Sequence, residues 1–166
     1  MVHCPVDWVR RTILESDELK QLPIFGSLIK ISRAAASIKE RLFARKVYKF
    51  LVEISNVPLD QRKAFIDDLD KTPDGQRRVG ESIILLLERI DDMEKASIIG
   101  KIYRQCMLGY ISNKQSLRLS AIVDRVFIMD LHDLVHFHEK KSVNYGVCAA
   151  LSGAGLLEVT EIVDAH

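Results

Sequence analysis

Apolar residues recur at steps of three and four along most of this chain, and this is the spacing of helices that bury one face. The clearest case is a helix predicted from Ser27 to Ile54. Its apolar positions are Leu28, Ile31, Ala35, Ile38, Leu42, Ala44, Val47, Leu51 and Ile54. Eight glycines and four prolines in 166 residues are too few for the frequent tight turns of a β-sandwich. The sequence therefore predicts an all-α protein.

Local signals predict where further helices begin and end. A helix is predicted from Gln76 to Ile90, and its uninterrupted apolar run from Ile83 to Leu87 indicates the most buried helix of a bundle. Two residue pairs have capping-box spacing and open the next two helices, and Gly109 is expected to end the first of these. The pairs are Asp91 with Glu94 and Ser112 with Gln115. The remaining predicted helices begin near Trp8, at Val57 after the cap Asn56, and near Asp130.

The pattern changes after Lys141. The segment from Ser142 to Ser152 fits a short helix, and the segment from Leu156 to Val163 fits a β-strand. We expect a bundle of six or seven helices in residues 1–139. Residues 140–166 are expected to form a short helix–strand appendage, either separate or part of the same domain. The strand would pair within the chain or with another chain.

Charge is segregated along the chain, although 24 Lys and Arg residues nearly balance 23 Asp and Glu residues. The balance excludes a globally basic nucleic-acid binder. The helix predicted from Ser27 to Ile54 nevertheless carries seven cations between Leu28 and Lys49, and Glu40 is the only acid among them. The seven are Lys30, Arg33, Lys39, Arg41, Arg45, Lys46 and Lys49.

Two interpretations of this basic helix are open. A basic amphipathic helix is attracted to an anionic membrane surface or another anionic partner, and each cation near an anionic leaflet contributes about 1 kcal/mol. Alternatively, the cations form the solvated face of a bundle helix. Nucleic acid is a less favoured partner, because the helix lacks aromatic residues interleaved for base stacking.

A histidine pair suggests an alternative function. His132 and His136 are separated by four residues and share one face of a helix, and Asp130 lies close to them. This is the spacing of zinc-binding helices, with Asp133 where a metalloprotease carries its glutamate base. The sequence thus predicts a metal site formed by Asp130, His132 and His136, in a metal-binding protein or hydrolase. A solvent-facing helix end accounts for the same residues without a metal.

The segment from Asp70 to Glu81 matches the frame of a calcium-binding EF-hand loop at several positions. Asp70, Thr72 and Asp74 occupy ligand positions, Gly75 the turn, and Glu81 the final bidentate position. Two features oppose calcium binding: cations follow directly at Arg77 and Arg78, and Pro73 stiffens the loop. A solvated turn between two helices is the alternative.

The remaining features favour a non-enzymatic cytoplasmic interaction module. No nucleophile triad, phosphate loop or dinucleotide fingerprint is present, and no cofactor is predicted. Three cysteines without a CxxC pair and the absence of a long apolar run indicate a reducing, cytoplasmic setting. A protein partner or a second copy of the chain is expected, an anionic membrane surface is a further partner, and nucleic acid is the least favoured.

The stretch from Asp91 to Val126, with its turn at residues 108–115, resembles the tellurite-resistance B family of small helical proteins in the hydrophobic rhythm of a helix hairpin. Leu108 stands where that family has a turn aspartate, and Asn113, Lys114 and Gln115 stand where it has acids. The resemblance therefore implies a helical hairpin and no metal site. The chain is also similar to uncharacterised small helical bacterial proteins, through Arg78-Val79-Gly80-Glu81 and the segment from Leu86 to Ile90. This likeness implies a helical body and no particular function.

Overall fold

A computed structural model describes residue 29 and residues 37–71, 74–139 and 144–158. Within these residues the chain forms seven helices and no strand, which confirms the all-α prediction. In chain order they are α1 (Ile38–Ser55), α2 (Leu59–Asp70), α3 (Gly75–Arg89), α4 (Met93–Met107), α5 (Asn113–Arg125), α6 (Ile128–His138) and α7 (Tyr145–Ala154). The helix predicted near Trp8 lies outside the described residues.

The crossing of α1 and α4 is the centre of the fold. At Gly100 the two backbones approach so closely that a Cβ atom would lie 2.9 Å from the carbonyl oxygen of Phe50 and 2.8 Å from Cβ of Glu53. One turn away, the rings of Phe50 and Tyr103 meet edge to face, with centroids 5.7 Å apart. Ser97 donates a hydrogen bond of 2.5 Å to Oε1 of Glu53. Because Gly100 has no side chain, α1 and α4 pack at close range.

The core is built around α4, which packs against α1, α2 and α5. The prediction that the helix from Gln76 to Ile90 is the most buried helix of the bundle is wrong, because α4 buries more of its residues than α3 does. Ile83 and Leu87 are fully buried, but Leu85 on the opposite side of α3 is 63% exposed. An apolar run of five residues covers the whole circumference of a helix, and neighbouring helices cover only part of it.

Several helix ends follow the predicted capping signals. The side chains of Ser112 and Gln115 form the predicted capping box at the start of α5. Gly109 has φ of +80°, a conformation that favours glycine, and it follows the last turn of α4 as expected. At the start of α4, however, Asp92 rather than Asp91 is the capping residue, and it accepts a hydrogen bond from the amide of Glu94.

Two predictions about the helices around α1 and α2 are wrong. The single helix from Ser27 to Ile54 does not form, because the backbone of Ser37 is extended and a capping box with Glu40 begins α1 at Ile38. The two free amides at this end are satisfied by the two side chains, so a helix begins here. Asn56 ends α1 instead of opening the next helix, and α2 begins at Leu59 after Pro58.

The last two helices lie at the C-terminal end of the described chain and pack on each other. Buried Leu131 of α6 and Leu151 of α7 join the core. The α7 helix begins after the cap Asn144 and ends at Gly155, which has φ of +83°. Residues 156–158 follow without forming a strand, because the chain leaves α7 through a turn, and the rest of the predicted strand lies outside the described residues. The expected strand appendage is therefore not seen.

Candidate interface for anionic partners

The outer side of α1 carries a compact group of cationic and aliphatic side chains. Because an α-helix has 3.6 residues per turn, the five residues of this group fall within an arc of about 100° around the helix axis. This arc lies opposite the buried side chains of Val47, Phe50 and Ile54. We call this group the α1 outward face. It consists of Ile38, Arg41, Leu42, Arg45 and Lys49. Ile38 is 78% exposed and Leu42 is 44% exposed, so the face is open to solvent.

Two other predicted cations of this helix lie beside the end of α3 and have structural contacts. Nζ of Lys46 donates hydrogen bonds to the carbonyl oxygens of Ile90, at 2.5 Å, and Glu88, at 3.2 Å. Partial burial lowers the pKa of Lys46, although the nearby acids Asp91 and Glu88 oppose that effect. Nζ of Lys39 lies 3.8 Å from the carboxylate of Glu88. These two lysines complement the negative C-terminal end of α3.

The other three described cations of α1 remain available to a partner. Arg41, Arg45 and Lys49 form no ion pair with any described residue, and no acid occurs between Glu40 and Glu53. Of the five described cations in the predicted set, these three lie on the α1 outward face. Lys30 and Arg33, the first two members of that set, lie outside the described residues.

The sequence motifs described above do not identify a second cationic region of the chain. The sequence from Lys95 to Val123 contains no Asp or Glu and carries five cations. One of them, Lys95, is 2% exposed and bound to a carboxylate oxygen of Asp91 at 2.7 Å and the carbonyl oxygen of Asp124 at 3.1 Å. The remaining four are Lys101, Arg104, Lys114 and Arg118. The absence of acids over this stretch is the sequence signal that would have identified it.

The predicted metal triad is not assembled. Among the described residues, no group of three or more His, Cys, Asp and Glu side chains could hold a metal ion. Nε2 of His132 lies 3.0 Å from Oε1 of Glu94, and Nδ1 of His136 lies 3.2 Å from Oδ1 of Asp133. Each imidazole therefore contacts a carboxylate other than Asp130. Metal binding by Asp130, His132 and His136 stays a prediction without geometric support.

The calcium-loop frame is occupied by other contacts. The guanidinium of Arg77 lies 3.2 Å from Asp74 and 3.1 Å from Glu81, and Gln76 donates a hydrogen bond to Asp70. Glu81 lies within α3, two turns after its start. The described acids of this segment are therefore bound to side chains of the same segment, as expected for a solvated interhelical turn.

Comparisons with protein-family models, with curated proteins and with solved structures return no match. The resemblance to the tellurite-resistance B family accordingly rests on the sequence pattern alone. No helix in the described part of the chain is long and apolar enough to cross a membrane.

Proposed function

We propose that this chain is a non-enzymatic helical interaction module that attaches transiently to an anionic membrane surface through the α1 outward face. The observation that carries the proposal is the combination, on one face, of exposed aliphatic side chains with cations that form no ion pair with a described residue. Arg41, Arg45 and Lys49 supply the charge, and Ile38 and Leu42 supply the apolar contact. Interfacial helices bind membranes through the same two contributions.

The composition of the face favours a lipid surface over a protein partner. Protein interfaces are usually anchored by large aromatic side chains together with Arg. The α1 outward face has arginines but no aromatic residue, and it has no amide or hydroxyl side chain that would select one hydrogen-bonding partner. A lipid surface requires only apolar contact and opposite charge. Nucleic acid is disfavoured at this face by the same lack of an aromatic ring.

The expected attachment is weak and reversible. Three cations contribute about 3 kcal/mol at an anionic leaflet, since each contributes about 1 kcal/mol. Insertion of the two exposed aliphatic side chains into the lipid adds a contribution of similar size, about 1.5 kcal/mol or more for each that is fully inserted. The resulting affinity suits a protein that moves between the membrane surface and solution.

Co-sedimentation with lipid vesicles tests the proposal. The protein is expected to pellet with phosphatidylcholine vesicles that contain phosphatidylserine, at low salt, and not with phosphatidylcholine alone. The double variant R41E/R45E should lose this binding. The matched control K63E/R78E changes the same amount of charge on α2 and α3, at two exposed positions that make no ion pair with any described residue, and should bind as the wild type does.

Two results would contradict the proposal. One is wild-type protein that stays in solution with anionic vesicles at low salt. The other is an equal loss of binding in both double variants, because it would indicate a response to net charge rather than to one face. Circular dichroism of each variant establishes that the helices are intact.

A further inference from the structure

We propose that the hairpin formed by α4 and α5 is a second interface, and that it binds single-stranded nucleic acid. This inference is independent of the proposed membrane attachment, because it rests on different helices and different side chains. The interface consists of four cations on the two helices and one exposed aromatic ring in the connection between them. These residues are Lys101, Arg104, Tyr110, Lys114 and Arg118.

Within the described part of the chain, the four cations of the hairpin have no acidic partner. None of the four cations makes an ion pair or side-chain hydrogen bond with a described residue. The two acids at either end of the acid-free stretch are already engaged. Glu94 contacts His132 at 3.0 Å, and Asp124 contacts Arg89 at 2.6 Å. Among the described residues, these two acids are therefore not free to pair with the four cations.

The cations of α5 share its solvent-facing side. Lys114 and Arg118 are one turn apart and exposed, whereas Ser116 and Ser120 between and after them are buried against the bundle. In α4, Lys101 is exposed, and Arg104, one turn further along, is half-buried. The short connection between the helices brings the last turn of α4 close to the first turn of α5. Arg104 and Lys114 thus lie in the turns next to the connection, and Lys101 and Arg118 lie about one turn further along their helices.

Tyr110 supplies an exposed aromatic ring, which the α1 outward face lacks. Its side chain is 76% exposed, although the connection that carries it is well fixed. The amide of Tyr110 donates to the carbonyl oxygen of Gln105 at 3.0 Å, and the amide of Gly109 donates to that of Cys106 at 3.0 Å. An exposed ring on a hydrogen-bonded connection between two cation-bearing helices is suited to stack on an unpaired base. Bases within a duplex are already stacked, so a single strand is the partner that fits.

Fluorescence anisotropy with a labelled oligothymidylate measures this binding. Four phosphate contacts to a single strand predict that a fourfold increase in salt weakens binding by about 50-fold. The double variant K114E/R118E should abolish binding, and K63E/R78E on α2 and α3, which changes the same amount of charge, serves as its matched control. Replacing Tyr110 by Ala should weaken binding by roughly 5- to 150-fold, and Tyr110→Phe should leave it unchanged, because both rings stack.

Heparin, a polyanion without bases, separates nucleic acid from other anionic partners. The Tyr110→Ala variant is expected to bind heparin as well as the wild type does, because heparin offers no base to stack. No binding of the oligonucleotide by the wild type at low salt would overturn the proposal. So would equal affinities of Tyr110→Ala and wild type for the oligonucleotide, which would indicate an acidic protein or another polyanion as the partner. The charge-neutral variant K114Q/R118Q replaces K114E/R118E if the latter fails to fold.

Discussion

Nζ of Lys46 lies 2.5 Å from the carbonyl oxygen of Ile90, and this contact joins α1 to the end of α3. A lysine that the sequence suggests as part of a binding surface is therefore a helix-capping group. The last carbonyl groups of a helix have no partner within the helix, so a cation from a neighbouring helix satisfies them.

Removing this contact should destabilise the fold. We expect Lys46→Ala to lower the free energy of unfolding by about 1–2 kcal/mol, because two carbonyl oxygens lose a charged donor. Lys49→Ala, one turn further along on the α1 outward face, should change it by less than about 0.5 kcal/mol. Urea denaturation measures both values. An equally small change in the free energy of unfolding for both substitutions would show that the Lys46 contact contributes nothing to stability.

The close approach at Gly100 makes a second prediction. Gly100→Ala should destabilise the protein by about 1–3 kcal/mol, although alanine favours helices more than glycine does, because the new methyl group would lie 2.9 Å from the carbonyl oxygen of Phe50. Gly153→Ala in α7 is the control, since nothing lies within 4 Å of a Cβ atom there. That substitution should stabilise by about 0.5–1 kcal/mol. Thermal unfolding of the two variants checks both signs, and a stabilising Gly100→Ala would contradict the packing described.

The buried hydroxyl of Tyr103 makes a third prediction. The side chain is fully buried, and its hydroxyl has no hydrogen-bond partner in the described structure. Tyr103→Phe should therefore leave stability unchanged or raise it by up to about 1 kcal/mol, because the cost of an unsatisfied buried group disappears. Loss of more than 1 kcal/mol in denaturant unfolding would reveal a partner for the hydroxyl.

Tyr103 also predicts a loss of stability at alkaline pH. Burial raises the pKa of its phenol above the ordinary value near 10, with a smaller contribution from Cys106. The unfolded chain therefore loses this proton at lower pH than the folded chain, so stability falls as pH rises above about 10. Unfolding measured across this range should show a smaller decrease for Tyr103→Phe than for the wild type. Identical decreases would mean that Tyr103 ionises equally in both states.

Local sequence signals predict the helices but not their neighbours. Ser112, Gln115 and Gly109 act through contacts within a few residues, so their roles follow from the sequence. The burial of α3 does not follow from the sequence in this way. Leu85 is exposed because no described helix packs against its side of α3. Periodicity shows that a residue is apolar and gives no information on which neighbour covers it.

For the candidate interface, too, the sequence predicts the residues but not their contacts. The cations of α1 are evident in the sequence, but their division into two sets depends on where α3 ends. Lys39 and Lys46 meet that end, whereas Arg41 and Arg45 face solvent. The histidine pair has helical spacing as expected, and the contact of His136 with Asp133 follows from that spacing, because the two residues are one turn apart in α6. The contact of His132 with Glu94 depends on the tertiary fold, because 38 residues separate the two.

The most direct test of membrane attachment places a fluorescent probe on the α1 outward face. The chain has one tryptophan, Trp8, so Trp8→Phe combined with Leu42→Trp leaves a single indole on this face. A control protein combines Trp8→Phe with Lys63→Trp on α2. With phosphatidylserine-containing vesicles we expect the emission of the residue-42 indole to shift to shorter wavelength, as it enters an apolar layer, while the residue-63 indole is unchanged. No shift at residue 42 in protein that binds the vesicles would contradict the account, as would equal shifts at both positions.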